Sequence, residues 1–447
     1  MKFTSILCLS GLCAATTFVA TPARAEDSAA WQEAIDGKGE FAYLRDWLIG
    51  DKKIVGGDGV VRSKFFKDAI LGTKPLPLPL IREGLAMAPD ASSLSSKYCV
   101  GSWGCKALAP SFELLVLRRD AAHKPLIEAF FANDASWQVA GFSSRGYLVR
   151  MIGWYNDKSF APLVVKMATH QPDSEYTMDA IQSAAALFGQ WNDASLVDAC
   201  TGIFDIDKNG VSAVGPARQA CAWYLIKMGD KSVAKKLKRA PIGSEWVTTV
   251  TAAAMGNADD KAEWQATAKE FAGSPDRTDH AAAIVALALT GDAKAEKQVI
   301  ALLGGKEPGA AWEHATLLPN YAYTAVGKRI LAAVKKPVFA LGVKEKAGRV
   351  HAVVAAQLAR LGDVSAVPEI TKLFASDDES VREVLAAMLG TGSPGVVLRL
   401  PANGLAGGAP VAGLAAVLQE AFENESNLGA RGAIARAWAM TVPAGGN

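Results

Sequence analysis

The stretch Asp205-Ile206-Asp207-Lys208-Asn209-Gly210 sets oxygen-bearing side chains at alternate positions ahead of a turn glycine. A calcium ion takes its ligands in this pattern, so Asp205, Asp207, Asn209 and the carbonyl of Val211 could face one ion. Pro216 stands where an EF-hand loop has its bidentate glutamate. The expectation is therefore a weak structural calcium site that stiffens one turn. The plainer reading is a turn in which Asp, Asn and Gly serve the backbone alone.

No nucleophile elbow, zinc-protease helix or phosphate loop occurs in the chain. Its five histidines, at 123, 170, 280, 314 and 351, are scattered. Catalysis would need a deep pocket gathering two acids, or a histidine and an acid, from distant segments. Cys99 and Cys105 bracket Val-Gly-Ser-Trp-Gly, which leaves two readings: a local disulfide or two thiols in a loop. Cys200 and Cys221 read as buried free thiols in neighbouring helices, with a bridge between them the other option. Lys235, Lys236, Lys238 and Arg239 crowd one helix, and Trp264 stands on another beside Glu263 and Gln265. A second basic run holds Lys328, Arg329, Lys335, Lys336, Lys344, Lys346 and Arg349. Such runs are either solvated faces or strips that favour an acidic partner. Lys235, Lys236, Arg239 and Trp264 are the candidate binding residues.

The elements that would position these groups are set by a repeat. Asn156-Asp157, Asn192-Asp193, Gly229-Asp230, Gly291-Asp292 and Gly362-Asp363 recur at intervals of 36, 37, 62 and 71 residues. Gly256-Asn257 and Gly327-Lys328 read as degenerate copies that divide the two long intervals. A period of this size marks stacked helix pairs. In the clearest unit, Val350, Val353, Val354, Leu358 and Leu361 form one helical stripe, which Gly362 ends. Asp363 or Ser365 then caps a second helix carrying Val367, Ile370, Leu373 and Phe374, with Pro368 in its tolerant first turn. Trp154 and Trp191, at the ends of first helices, read as core.

The order Val-Arg, Ala-Ala, Leu-Gly-Asp, Ala-x-Pro and an acidic turn resembles the HEAT repeat, in the variety named for bilin-lyase-like proteins. Twelve residues before the anchor aspartates stand Arg145, Arg218, His280 and His351, with Ile181 breaking the series. The resemblance covers about residues 118–400. It implies an all-α solenoid, second helices on the concave face, and a basic residue that meets an aspartate of the turn.

Residues 1–25 have the form of a secretory signal: Lys2, an apolar stretch from Ile6 to Ala20, and Ala23-Arg24-Ala25. The signal holds two of the 47 basic residues and none of the 45 acidic ones, which leaves the remainder neutral. Neutrality argues against a nucleic-acid binder, and no later apolar run would span a membrane. The expected organisation is a signal (1–25), a mostly helical N-terminal cap with loops (26–117), a solenoid (118–400) and a C-terminal helical cap with a tail (401–447). The expected function is an exported scaffold, periplasmic or extracellular, that binds a protein or peptide. An envelope assembly factor and a helical-array enzyme are the alternatives. No cofactor is expected beyond the structural calcium, for which a rise in melting temperature at millimolar calcium is the predicted outcome.

Overall fold

A computed structural model describes residues 115–132, 144–170, 175–206, 214–230, 261–305, 308–390 and 411–442, with a few isolated positions besides. Every regular element among them is helical. No described helix is long and apolar enough to cross a membrane. Most of the 26–117 segment, including Cys99 and Cys105, lies outside the described residues, as do Asp207, Asn209, Lys235, Arg239 and Gly256-Asn257.

The helices come in pairs. First helices are α2 (Ser144–Tyr155), α4 (Glu175–Trp191), α6 (Val214–Lys227), α8 (Arg277–Leu289), α10 (Pro308–Leu317), α12 (Glu345–Arg360), α14 (Glu379–Gly390) and α16 (Leu428–Thr441). Ahead of them lies α1 (Lys124–Ala132). Second helices are α3 (Ala161–Thr169), α5 (Val197–Gly202), α7 (Lys261–Phe271), α9 (Ala293–Leu303), α11 (Ala325–Phe339), α13 (Val367–Phe374) and α15 (Leu414–Asn424). First helices pack on one another, as α2 does on α4 and α12 on α14, and on second helices, as α8 does on α9 and α12 on α13.

One turn makes this arrangement possible. The residue ending each first helix is left-handed: Asn156 (φ 58°), Asn192 (φ 52°), Gly229 (φ 83°), Gly291 (φ 100°) and Gly362 (φ 87°). Glycine and asparagine tolerate that conformation best. The next residue is the recurring aspartate. In four of the turns its N–H returns to a carbonyl five residues back, as Asp230 does to Leu225 and Asp363 to Leu358, both at 2.9 Å. Its carboxylate accepts the N–H two residues on: Ser159, Ser195, Ser232, Lys294 and Ser365, at 2.8–2.9 Å. One dipeptide therefore closes the first helix and caps the second.

The structure adds a sixth turn. Arg119 is left-handed (φ 52°), and Asp120 accepts from Ala122 N at 2.9 Å. It also moves one. Gly327-Lys328 is not a turn but the start of α11, which Thr324 caps through Gly327 N at 3.0 Å. Gly327 is there because a Cβ would overlap the Tyr321 carbonyl.

Neighbouring units are fastened at these turns. Tyr155 Oη donates to Asp120 O (3.2 Å), Trp191 Nε1 to Asn156 Oδ1 (3.0 Å) and Tyr224 Oη to Asp193 O (2.7 Å). Lys124 pairs with Asp157 and Lys335 with Asp363. Burial works to raise the pKa of Asp157 and Asp363, but these lysines and the serine bonds outweigh it and hold both below the usual carboxylate value. That contribution to stability is present at neutral pH and is lost as pH falls through the lowered values.

The two layers differ in character. First helices hold the longer buried stretches: Val350 to Ala359 and Ala217 to Leu225 are unbroken buried runs. Second helices are amphipathic, with Ile370 and Leu373 of α13 inward and its polar face out. Alanine dominates the inner layer because helices buried all round must approach closely. The two ends of the described array meet. Arg119 Nη2 donates to the α16 carbonyl of Ala439 (3.0 Å) and to Val442 O, and the Arg436 guanidinium lies 5.5 Å from the Trp154 ring centre. First and last units touch.

Gly362 and Gly327 test these assignments separately. A Cβ on Gly362 meets nothing, so Gly362→Ala should cost about 1 kcal/mol, from conformation alone. Asp363→Ala should cost about 1 kcal/mol through the lost cap. Gly327→Ala should cost more than either, because backbone stands where its Cβ would go; urea unfolding of the three variants checks the order.

Candidate functional site

The residues singled out in the sequence do not converge. Trp264 is 6% exposed and belongs to the core, so it is not offered on an open face. Lys236 pairs with Asp230 inside its own turn. Asp205 closes a short 3-10 turn after α5, and its companions Asp207 and Asn209 are outside the described residues. Among the described residues, no three metal-ligating side chains gather. Cys200 and Cys221 are free, buried thiols, and burial pushes the Cys200 thiol up. Trp154 and Trp191 are core residues, each 4% exposed. Part of the basic run is neutralised, since Arg329 pairs with Glu296 at 2.8 Å and Lys335 with Asp363. Arg349 stacks over the Trp312 ring.

The basic residues of the repeat register bond main-chain carbonyls. Arg145 reaches His170 O (3.4 Å) and Arg218 reaches Ile203 O (3.2 Å) and Ile206 O. His280 Nδ1 lies 3.0 Å from Ala272 O, and His351 Nδ1 lies 3.0 Å from Gly342 O. Arg382 bonds Ser376 O at 2.7 Å and pairs with Glu425. Apart from Arg145, each satisfies a carbonyl at the end of the preceding second helix, where helices leave acceptors unmet. Burial lowers the pKa of His351, against the Gly342 carbonyl and Glu369, whose Oε2 lies 3.2 Å from Nε2. That contact is near enough for an ion pair, yet both atoms lack a properly angled hydrogen bond.

His314 occupies the same register on α10, 34 residues after His280 and 37 before His351. It is 3% exposed, and its Nδ1 is buried with no hydrogen-bond partner. His314 lines a cavity of about 510 Å³ between α8, α9 and α10. Its polar lining includes Arg277, His280, Gln298, Glu313 and His314, and its apolar lining includes Pro275, Ala281 and Leu302. The N-terminus of α10 forms one wall through Gly309 and Ala310.

The acids around this cavity already have work. Asp276 caps α8, accepting from Thr278 N (2.7 Å) and Asp279 N (3.1 Å). Asp279 accepts from Ser274 Oγ (3.2 Å), and Glu313 from Thr278 Oγ1 (3.3 Å). The histidine–acid proximity that catalysis would require is therefore present as a shared lining, while the described imidazole bond goes to Ala272 O. Burial, with His280 nearby, pushes the His314 pKa down to about 4. His314 is neutral at pH 7 and offers one donor and one acceptor nitrogen.

Sequence reasoning dismissed His314 as one of five scattered histidines. Its register spacing to His280 and His351 was the available signal, hidden because no Gly-Asp turn follows it at twelve residues.

The titration of His314 has a definite sign. The folded state holds the imidazole neutral while the unfolded chain protonates near 6.5, so stability is full above 6.5 and falls as pH drops toward 4. The interval amounts to about 3 kcal/mol. His314→Gln should flatten the stability curve between pH 6.5 and 4 relative to the parent, as read by urea unfolding at each pH.

No protein-family model matches the chain, and no curated protein or solved structure matches it.

Proposed function

We propose that this protein is an exported helical scaffold that binds an acidic protein partner, with α9 and α11 as its docking face. The HEAT-like stack of paired helices supplies the frame, and contact between the first and last units bends it into a closed ring. The signal-like residues 1–25 support export to the periplasm or beyond.

The observation that carries the reading is a set of uncompensated lysines on the outer layer. Lys294, Lys297, Lys328 and Lys336 are exposed on the adjoining second helices α9 and α11. Lys344 and Lys346 extend the face from the following turn. None of the six forms an ion pair or hydrogen bond through its side chain among the described residues. Arg329 and Lys335, between them, are tied to Glu296 and Asp363 and fix the helices that carry the free cations. A neutral chain that gathers cations on one face has polarity to direct an encounter. Units locked at every turn also lose little freedom on binding.

The test compares the 26–447 protein with a Lys328→Glu/Lys336→Glu/Lys346→Glu variant as bait against envelope and secreted fractions. The account expects a stoichiometric acidic protein on the parent bait, released as salt rises. It expects at least about a tenfold loss on the variant at unchanged melting temperature. Equal retention by both baits would remove the docking face.

A further inference from the structure

We propose that Cys200 and Cys221 are a disulfide-forming pair, which a thiol–disulfide oxidant joins as the chain folds. Both thiols are free in this structure. The pairing does not depend on the lysine face or on export, because the oxidant is supplied in the test.

The register of two helices brings the sulfurs together. α5 and α6 are consecutive in the chain and pack on each other. Two hydrogen bonds fix how they align. Leu196 N, just ahead of α5, donates to Tyr224 Oη at 3.2 Å. Arg218 Nε donates at 3.2 Å to the carbonyl of Ile203, just past the end of α5. The helices therefore run antiparallel, with 196 opposite 224 and 203 opposite 218. The Arg218 and Tyr224 side chains mark the face of α6 that meets α5. Cys221 stands on that face, three residues from each of them. Cys200 stands between Leu196 and Ile203 on the opposing segment. The two cysteines thus face each other across the interface, and their thiols are hydrogen-bonded.

The surroundings suit a bridge and not a reactive thiol. Both cysteines are 0% exposed and belong to the apolar core. A thiol shut away from water stays protonated and meets no substrate. No oxidant reaches it either, so the bond belongs to folding, before α5 closes on α6. α5 is the helix that gains from it. At six residues it is the shortest of the described second helices. A covalent link between positions 200 and 221 also restricts the unfolded chain.

Oxidised glutathione is an oxidant of the required class. One cysteine thiolate attacks its disulfide, releases one glutathione thiol and leaves a mixed disulfide. The other cysteine then displaces the second glutathione. One Sγ–Sγ bond forms and the S–S bond of the oxidant breaks. The two protons and two electrons of the cysteines end on two glutathione thiols.

The experiment refolds the 26–447 protein from urea, once in a glutathione redox buffer and once with excess reductant. Protein secreted into a bacterial periplasm and purified without reductant gives an oxidised sample that needs no refolding. Free thiols are alkylated in denaturant, and the peptides are mapped by mass spectrometry, which separates a Cys200–Cys221 bridge from a Cys99–Cys105 one. Most of the folded, oxidised protein should carry the Cys200–Cys221 bridge and melt no lower than the reduced protein. Alkylation of both cysteines in most of that protein would overturn the proposal. So would glutathione left on either cysteine, a bridge from either to Cys99 or Cys105, or a bridged protein that melts below the reduced one.

Discussion

Each unit of this protein depends on a two-residue reversal. A left-handed residue stops the inner helix, and the aspartate after it closes the helix behind with its N–H and opens the helix ahead with its carboxylate. Without the left-handed residue, the last carbonyls of a deeply buried helix would have no partner. Without the aspartate, the first N–H groups of the next helix would be exposed as orphans. The same turn also receives the aromatic hook of the following unit, as Tyr224 grips Asp193 and Trp191 grips Asn156. Local chain reversal and long-range stacking are thus fixed by the same atoms.

The inner layer follows from that constraint. Helices held side by side at fixed turns can be buried on every face only if their side chains are small where backbones approach. Runs such as Ala281 to Ala286 are the result. Polar groups survive inside this layer where they answer a main-chain need. Arg218, His280 and His351 do so by taking up carbonyls at the ends of outer helices. His314 stands in the same register, but its buried Nδ1 meets no carbonyl among the described residues, and the residue lines a cavity.

The sequence disclosed the helix pairs because the turn demands unusual chemistry: a residue that tolerates positive φ, then a capping acid. Where the chain met the first demand with an ordinary residue, the signal vanished. Arg119-Asp120 forms the same turn with an arginine held in place by the carbonyls of α16. Where a glycine served packing, the signal misled, as at Gly327. Trp264 illustrates a further limit. Its polar neighbours suggested exposure, but helical periodicity turns Trp264 inward while Glu263 and Gln265 remain partly exposed. The cavity lined by His314 was illegible for a different reason: a sequence records the histidine but not the partner that its Nδ1 lacks.

The contact between the ends is the least local claim in this account, and the ring reading rests on it. Arg119 on the α16 carbonyls, Arg436 over Trp154, and Lys67 with Glu423 join segments more than 280 residues apart in the chain. A zero-length carbodiimide crosslinker joins an amine to a carboxylate only when the two already touch. Applied to the monomeric 26–447 protein and read by mass spectrometry, it should yield the Lys67–Glu423 crosslink beside neighbour-unit crosslinks such as Lys124–Asp157. Neighbour-unit crosslinks in good yield with no Lys67–Glu423 product would contradict the closed arrangement and leave an open stack.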